Sequence, residues 1–350
     1  MIKAYLAMEN ELLIAASQGD DGGSWQVQTQ LAGTEPTCVA IDPADPQRVY
    51  CGTFGRGVWK SEDAGKSWKP IGNLGKSRDG GGVKSAQITS IAVSAVEHSD
   101  GKGVVYAGTE PTALYRSEDG GDNWKELSKL RELPSSSTWS FPPRPYTSHV
   151  RWITPDPLKE GRIFAAIEAG ALVKSSDGGA HWEDRVRNGP FDTHTLLMHP
   201  LAPDRLYSSA GDDYNESRDG GMTWKSPSEG LPYHYLWGLA IDPKDPETMI
   251  ASASPGPYEA HHARSDALSI IARKSGDGPW QQVTSGLPDP RGTVAPVLAS
   301  NPEAAHTFYA LTNRGLYRSQ DAGENWNVLP VPWKDSYRLE HQQALAVSTL

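Results

Sequence analysis

The chain has 350 residues, including 35 glycines and 27 prolines, and no apolar run approaches the roughly 20 residues that cross a lipid bilayer. These features favour a turn-rich, soluble protein. The 33 Lys and Arg residues stand against 43 Asp and Glu residues, giving a net charge of −10. Nucleic acids and membranes are therefore not expected as partners, because both are bound through positively charged surfaces. Glu9 and Glu11 interrupt the first apolar stretch, which is unlike a secretion signal and predicts a cytoplasmic location.

An eight-residue pattern, Ser-x-Asp-x-Gly-x-x-Trp, recurs along the chain. The aspartate can accept hydrogen bonds from a tight turn, the glycine can take a left-handed conformation, and the tryptophan can pack the turn against its own sheet. A degenerate copy contains Gln18, Asp20, Gly22 and Trp25, and a shortened copy ends at Trp280. The five complete copies begin at Ser61, Ser117, Ser175, Ser217 and Ser319. The pattern therefore predicts seven similar turns.

The residues around each turn predict the same four strands, which we name A to D in chain order, with the turn between C and D. The seven tryptophans stand about 40–60 residues apart, which is the spacing of one propeller blade. Before the first turn there are only two strands, at 3–8 and 11–17, and the missing A strand is at 342–348. Residues 1–350 are therefore predicted to form one all-β domain. It is a seven-bladed β-propeller with four-stranded blades, whose C-terminal strand pairs into the N-terminal blade and closes the ring.

With these turns the chain resembles the Asp-box, or BNR-repeat, propellers: sialidases, xyloglucan-cleaving endoglucanases, the sortilin ectodomain and photosystem II assembly factors. The resemblance covers the whole chain and implies the propeller fold. It does not imply one function, because enzymes and non-enzymes share the turn. Sialidases have six blades, an arginine triad, a Tyr/Glu nucleophile pair and an Asp acid, which cannot be placed on this sequence. Xyloglucanases pair two propellers around a cleft, whereas this chain encodes one.

The connections between strands sort onto two faces of such a ring. The D-to-A and B-to-C connections lie on one face, which we call the loop face. The octapeptide turns and the A-to-B connections lie on the other, which we call the turn face. Three of the longest connections belong to the loop face, at 72–86, 128–148 and 254–268. Long loops on one face of a rigid scaffold usually carry the function. The 128–148 loop is expected to act as a lid over the channel or to be a surface loop.

Alignment of the A strands brings polar side chains to one level near the mouth of the predicted channel. The equivalent positions are Thr37, Thr89, His149, His194, Trp237, Pro296 and Gln343. His234 and His341 lie two or three residues earlier on their strands. Imidazoles that converge from separate strands can bind Zn²⁺, Mn²⁺ or Fe²⁺, so His149, His194, His234 and His341 are candidate ligands of a divalent metal. The alternative is that these histidines bond to water and backbone in a polar channel.

Alignment of the B strands places two carboxylates on the same face. Glu110 and Glu168, with His149, His194 and Arg151, are the candidate catalytic residues. Asp212 and Asp213 are further possible carboxylates for a glycosidase, which needs two. The candidate substrate-binding residues are Arg56, Trp139, Tyr146, Trp237 and Arg291. No nucleotide-binding motif occurs in a suitable context, so no nucleotide cofactor is expected.

Three functional interpretations follow. The first is a hydrolase or lyase that acts on a small polar or sugar-like molecule in the funnel, with a metal or a histidine base. The second is a non-catalytic module that binds a protein partner through exposed aromatics of the 128–148 loop. The third is a glycoside hydrolase with two carboxylates, ranked last because the chain encodes one propeller. The titratable groups at the mouth favour the first. Replacing His149 and His194 together with alanine is then expected to remove activity or metal and to leave thermal stability nearly unchanged.

Overall fold

Seven antiparallel sheets are arranged as blades around a central channel. The computed structural model describes residues 1–18, 24–72, 82–264 and 266–350. The innermost strand of each sheet contacts the innermost strands of both neighbouring sheets, so the ring is complete. The predicted all-β, seven-bladed propeller is therefore confirmed.

The strands of the described residues are numbered in chain order. Blade 1 contains β1 (Ile2–Ala7), β2 (Leu12–Gln18), β3 (Ser24–Gln30) and β26 (Ala344–Thr349). Blade 2 contains β4 (Pro36–Asp42), β5 (Asp45–Thr53), β6 (Gly57–Ser61) and β7 (Lys69–Ile71). Blade 3 contains β8 (Ile88–Ser99), β9 (Lys102–Thr109), β10 (Ala113–Ser117) and β11 (Lys125–Glu126). Blade 4 contains β12 (Val150–Pro155), β13 (Ile163–Ile167) and β14 (Ala171–Ser175). Blade 5 contains β15 (Thr193–His199), β16 (Ala202–Ala210) and β17 (Tyr214–Ser217). Blade 6 contains β18 (Tyr235–Asp242), β19 (Asp245–Ser254), β20 (Ile270–Ser275) and β21 (Gln281–Val283). Blade 7 contains β22 (Val297–Ser300), β23 (Phe308–Thr312), β24 (Gly315–Ser319) and β25 (Asn327–Val328).

The outermost strands and the helices are short. In blades 4 and 5 the fourth strand is reduced to a single bridge, between Lys174 and Glu183 and between Glu216 and Lys225 respectively. One α-helix, α1 (Pro257–His261), lies in the B-to-C loop of blade 6. Single 3-10 turns lie at Ser128–Glu132, Pro134–Thr138 and Asp335–Leu339. Within the described ranges, no helix is long and apolar enough to cross a membrane.

The two ends of the chain close the ring in blade 1. Strand β26 pairs antiparallel with β1, with Tyr5 opposite Ala346. The Leu350 backbone N–H donates to the Met1 carbonyl at 2.9 Å, and the Met1 amino group donates to the Leu350 carbonyl at 3.0 Å. The predicted closure is confirmed, and it removes the open sheet edge that a linear array of blades would expose.

The complete octapeptide turns make the predicted hydrogen bonds. In blade 2, the Ser61 hydroxyl donates to Asp63 at 2.8 Å and accepts from the Gly65 N–H at 2.7 Å. Asp63 also accepts from the backbone N–H of Ser67 at 2.9 Å, and Gly65 has a φ of +87°. The turns of blades 3, 4, 5 and 7 repeat these serine and aspartate bonds. In the degenerate copy, Asp20 and Gly22 lie outside the described residues.

These turns contain carboxylates whose hydrogen bonds are expected to be lost in acid. Hydrogen bonds from His181 lower the pKa of Asp177 to about 2, and bonds from Thr223 lower that of Asp219 to about 2. Their stabilisation is present above the pKa of about 3.9 of an unfolded aspartate and is lost as pH falls through about 2. We expect the melting temperature of an Asp177→Asn/Asp219→Asn variant to fall less between pH 4 and pH 2 than that of the unmodified protein. Thermal melts across this range measure the difference, and parallel declines would contradict the assignment.

Two glycines set the contact between neighbouring blades. The segment that leaves blade 6 passes at Gly286 over the backbone of Trp326 in blade 7. The backbone N–H of Trp326 donates a hydrogen bond to the Ser285 carbonyl at 3.0 Å. Gly230 passes in the same way over Trp280, between blades 5 and 6. Both glycines have positive φ, +75° at Gly286 and +88° at Gly230. The blades are therefore joined by backbone contacts as well as by side-chain packing.

Candidate functional site

The mouth of the channel is formed by the starts of the inner strands. A cavity of about 300 Å³ runs between these strands, and Arg151, Trp237 and Gln343 line it at the loop face. The Thr37 hydroxyl of blade 2 donates to the Ile88 carbonyl on the next inner strand at 2.6 Å. His194 of blade 5 bonds through Nδ1 to the Leu236 carbonyl of the next strand, also at 2.6 Å. The alignment of the A strands therefore gave the equivalent positions correctly for these two residues. It was wrong in blade 4, where Arg151 and not His149 lies at the equivalent irregularity of the inner strand.

Glu110, His149 and Glu168 form a buried row between blades 3 and 4. His149 Nε2 lies 2.6 Å from Glu168 Oε2, and its Nδ1 lies 3.4 Å from Glu110 Oε2. Arg144, from the 128–148 loop, donates two hydrogen bonds to Glu110 at 2.8 and 2.7 Å. The Arg151 guanidinium lies 3.8 Å from Glu168 and 4.3 Å from the centre of the Trp237 ring. Three of the predicted catalytic residues are therefore in direct contact, with two arginines at the ends of the row.

The electrostatics of this row favour charged carboxylates. Burial acts to raise the pKa of Glu168, but the hydrogen bond and the charge of His149 lower it to about 2. At Glu110, burial is likewise outweighed by His149 and Arg144, and the pKa falls to about 2. Burial acts to lower the pKa of His149, but its bonds to the two carboxylates raise it. Because a general acid needs a carboxyl group that holds its proton, neither glutamate suits that role.

His194 has one ring nitrogen with a hydrogen-bond partner and one without. Its Nδ1 bonds to the Leu236 carbonyl, and its buried Nε2 has no hydrogen-bond partner within the described residues. This Nε2 lies 3.9 Å from Glu168 Oε1 and 3.7 Å from Asp192 Oδ2. Asp192 is held from its other oxygen by the Ala169 N–H at 2.8 Å. An unpartnered imidazole nitrogen thus faces two carboxylates.

A second group of polar rings lies on the other side of Trp237. The Tyr235 hydroxyl lies 2.8 Å from His261 Nε2, and His261 Nδ1 lies 2.9 Å from His341 Nε2. The rings of Trp237 and His261 are in edge contact, with centres 4.4 Å apart. Loss of solvation lowers the pKa of His341 to about 3 and that of His261 well below its ordinary value. Both histidines are therefore neutral near pH 7.

The four histidines predicted as one metal site do not meet at one point. His149 and His194 lie on either side of Glu168, whereas His341 bonds to His261. His234 is exposed and lies 3.1 Å from Asp213. The alignment placed these histidines at similar heights on their strands, but the ring of inner strands separates them laterally.

One of the aromatic side chains of the 128–148 loop is buried rather than exposed as predicted. Trp139 is 8% exposed, packs in the core with Leu130 and Leu133, and donates its indole N–H to Ser135 at 3.0 Å. Its prediction as an exposed aromatic was therefore wrong, because the loop forms two 3-10 turns that direct the indole inward, but the residue still lines the groove described below. Tyr146 is 86% exposed, in line with the prediction of a surface aromatic.

A groove on the loop face begins beside Glu110. Its volume is about 560 Å³, and Phe54, Gln87, Arg144 and Tyr146 are among the residues that line it. The Arg144 guanidinium lies 4.9 Å from the centre of the Phe141 ring and 5.6 Å from that of Phe54. The predicted binding residues Arg56 and Arg291 are exposed on connections of this face and are not among the groove residues.

Asp212 differs from the two buried glutamates. It is exposed on the B-to-C connection of blade 5, but partial desolvation, followed by the charges of Asp192 and Asp213, raises its pKa. Its pKa is thus shifted in the direction opposite to those of Glu110 and Glu168.

Sequence reasoning gave Arg144 and Asp192 no role, although both contact candidate catalytic residues. Asp192 lies only two positions before His194, at the end of the connection that leads into β15, which is the signal that could have identified it. Arg144 lies in the long loop, and the sequence contains no signal for its pairing with Glu110.

Comparison with known proteins shows a shared fold and a distant sequence similarity. No protein-family model matches the chain. A xyloglucanase from Paenibacillus sp. is 26% identical over 273 residues, which cover 65% of this chain and 26% of the relative. The chain therefore spans about a quarter of the length of the curated relatives it matches.

Two solved structures illustrate the shared architecture. A GH74 enzyme from Niastella koreensis has a TM-score of 0.64 and 14% identity, over 93% of this chain and 55% of that one. YCF48 bound to D1 peptide has a TM-score of 0.57 and 17% identity, over 90% of this chain and 92% of that one. At these identities the likeness establishes the propeller fold alone. The expected resemblance to xyloglucanases is thus found in the sequence, and the structural likeness is to the propeller fold.

Proposed function

We propose that this propeller binds a carbohydrate on its loop face and hydrolyses it near the mouth of the channel. The observation that carries the proposal is the groove beside Glu110, which combines the exposed ring of Tyr146 with the polar side chains of Gln87 and Arg144. An aromatic ring packs against the apolar face of a sugar, while amides and guanidinium groups bond its hydroxyls. The similarity to xyloglucanases supports a carbohydrate ligand and makes the third interpretation of the sequence stronger than its original rank.

Within this proposal Asp212 donates the proton to the leaving-group oxygen. A glycosidase acid must hold its proton, and the pKa of Asp212 is raised in the direction that this role requires. Glu110 and Glu168 instead act as fixed negative charges that position His149, Arg144 and Arg151. The reaction class is acid-assisted hydrolysis of a glycosidic bond. Water bonds to the anomeric carbon as the bond to the leaving-group oxygen breaks, and the neighbouring carboxylate of Asp213 accepts the proton that the water loses.

The expected result for Asp212→Asn is a loss of hydrolysis by about 100-fold or more with oligosaccharide binding retained, because the amide keeps the size of the side chain but cannot donate the proton. Xyloglucan oligosaccharides are suitable probes, with hydrolysis followed by mass spectrometry and binding by calorimetry. Asp277→Asn, which removes an exposed carboxylate on the turn face, is the matched control and should leave both unchanged. Binding without hydrolysis by the unmodified protein would overturn the catalytic part. Absence of binding to any oligosaccharide would overturn the whole proposal.

Peptide binding is the second candidate function. The chain spans 92% of a YCF48 structure solved with a peptide, and Tyr146 and Arg144 on the groove are residue types common at protein interfaces. In this case the groove would bind an extended peptide, and Asp212→Asn would have no catalytic phenotype. Capture of a peptide from a library by the unmodified protein, lost on Tyr146→Ala, would favour this candidate over carbohydrate hydrolysis.

A further inference from the structure

Three potential metal ligands converge at the mouth of the channel. They are His194 Nε2, Glu168 Oε1 and Asp192 Oδ2, and one ligand atom from each residue lies within 4.8 Å of the others. The distances from His194 Nε2 to the two oxygens, 3.9 and 3.7 Å, are shorter than two metal–ligand bonds of about 2.1 Å placed end to end. One ion can therefore reach all three atoms with little movement.

The tautomer of His194 is suited to this role. Its Nδ1 lies 2.6 Å from the Leu236 carbonyl, which can only accept, so Nδ1 carries the proton. The lone pair is then on Nε2, which is buried and lacks a hydrogen-bond partner within the described residues. A buried nitrogen without a partner costs free energy in a folded protein, and a bound cation would remove that cost.

Each of the two carboxylates is also held from the side that faces away from His194. The second oxygen of Glu168 bonds to His149 at 2.6 Å, and Arg151 lies 3.8 Å from the same oxygen. The second oxygen of Asp192 accepts from the Ala169 N–H at 2.8 Å. Hydrogen-bond partners of this kind orient the side chains that ligate the ion in metal sites, and here each of the three proposed ligands has such a partner.

The backbone beside the cluster leaves space for the ligands. A Cβ on Gly211 would lie 2.2 Å from Asp192 Oδ2 and 3.4 Å from His194 Cε1. Any larger residue at this position would displace the aspartate oxygen. The glycine thus keeps room at the point where the three ligand atoms meet.

From this geometry we infer that Glu168, Asp192 and His194 form a binding site for a divalent metal ion. One imidazole with two carboxylates suits Mn²⁺, Fe²⁺ or Zn²⁺, and three protein ligands leave further positions for water or an oxygen of a bound molecule. The two ligand carboxylates balance the charge of the ion. The site differs from the four-histidine set predicted from the sequence in every residue but His194. It does not depend on the carbohydrate ligand proposed above, but a bound cation would offset the charge of Asp192 that helps to raise the pKa of Asp212.

The test is equilibrium binding of Mn²⁺ and Zn²⁺ to protein purified without chelators, with metal content measured by elemental mass spectrometry and bound Mn²⁺ by electron paramagnetic resonance. We expect one ion per chain. Asp192→Asn should weaken binding by about 100-fold, whereas His234→Ala, a histidine on the same face outside the cluster, should bind as the unmodified protein does. Because Asp192 is only partly buried, this variant is expected to fold, and thermal melts verify it.

Gly211→Ala provides a second variant that retains every ligand. It should weaken metal binding because the new methyl group displaces Asp192. Absence of stoichiometric binding to the unmodified protein would overturn the inference. It would also be overturned if Asp192→Asn and Gly211→Ala bound the ion as tightly as the unmodified protein, or if His234→Ala lost it. Oligosaccharide binding, measured separately, tests the proposed function and leaves these outcomes unaffected.

Discussion

Replacing Gly286 with alanine is expected to lower the free energy of unfolding by about 2–5 kcal/mol. Two costs add at this position. The left-handed backbone, with a φ of +75°, costs a residue with a Cβ about 1–2 kcal/mol. The new Cβ would also stand 1.7 Å from the Trp326 carbonyl oxygen, so one of the two backbones must move, and overpacking of this kind costs about 1–3 kcal/mol. Urea denaturation followed by tryptophan fluorescence measures the change.

Gly33→Ala is the matched control for this prediction. Gly33 has nearly the same φ, +74°, and also lies on a connection between blades, but a Cβ there would meet nothing within 4 Å. It should therefore show the backbone cost alone, about 1–2 kcal/mol. Equal losses for the two variants would show that the contact between blades 6 and 7 adds nothing.

Replacing His149 with alanine should also destabilise the protein strongly, by about 3–5 kcal/mol near pH 7. His149 lies between the buried carboxylates of Glu110 and Glu168, and removing one partner of a buried ion pair leaves charge without compensation. The sequence-based expectation that a His149/His194 double replacement leaves stability nearly unchanged is therefore revised. Both side chains are buried, 5% and 1% exposed, and both bridge neighbouring elements. Thermal and urea denaturation of His149→Ala test the new expectation.

His181→Ala is the corresponding control at the surface. His181 lies 2.6 Å from Asp177, the same distance as His149 from Glu168, but it is fully solvated in its octapeptide turn. Solvent screens this pair, so its removal should change stability little. If His149→Ala lowered the free energy of unfolding as little as His181→Ala, water would have to reach the row of Glu110, His149 and Glu168.

The fold was predictable because its signal repeats. Ser61, Asp63 and Gly65 make bonds that depend only on residues within one turn, so each copy of the octapeptide specifies its own geometry. Only two strands precede the first octapeptide turn, and one unpaired strand follows the last. Pairing that last strand with the first one is then the way to complete blade 1 and close the ring. Where the pattern is shortened, at Trp280, the indole N–H donates to Pro227 of the neighbouring blade instead, which a local pattern cannot predict.

The site was predictable only in part. The height of His194 follows from strand alignment, and so does the position of Glu168, but His149 lies two residues before the equivalent position, which Arg151 occupies. Lateral distances around the ring do not follow from the alignment, which is why His234 and His341 were assigned to the same metal site. The burial of the Trp139 side chain depends on packing within one irregular loop, where the sequence has no repeating pattern from which it could be predicted. The cytoplasmic location and the presence of a metal stay predictions.

The closure of blade 1 has a consequence for handling the molecule. Because β26 ends and β1 begins on the turn face, both termini emerge on the side opposite the channel mouth. A tag or surface anchor attached at either end would leave the mouth facing the solution. A short linker from Leu350 to Met1 would make the circle covalent, and a cut in another exposed loop would then give a circular permutant with the same seven blades. The position of the chain ends is therefore not required for the arrangement of the seven blades.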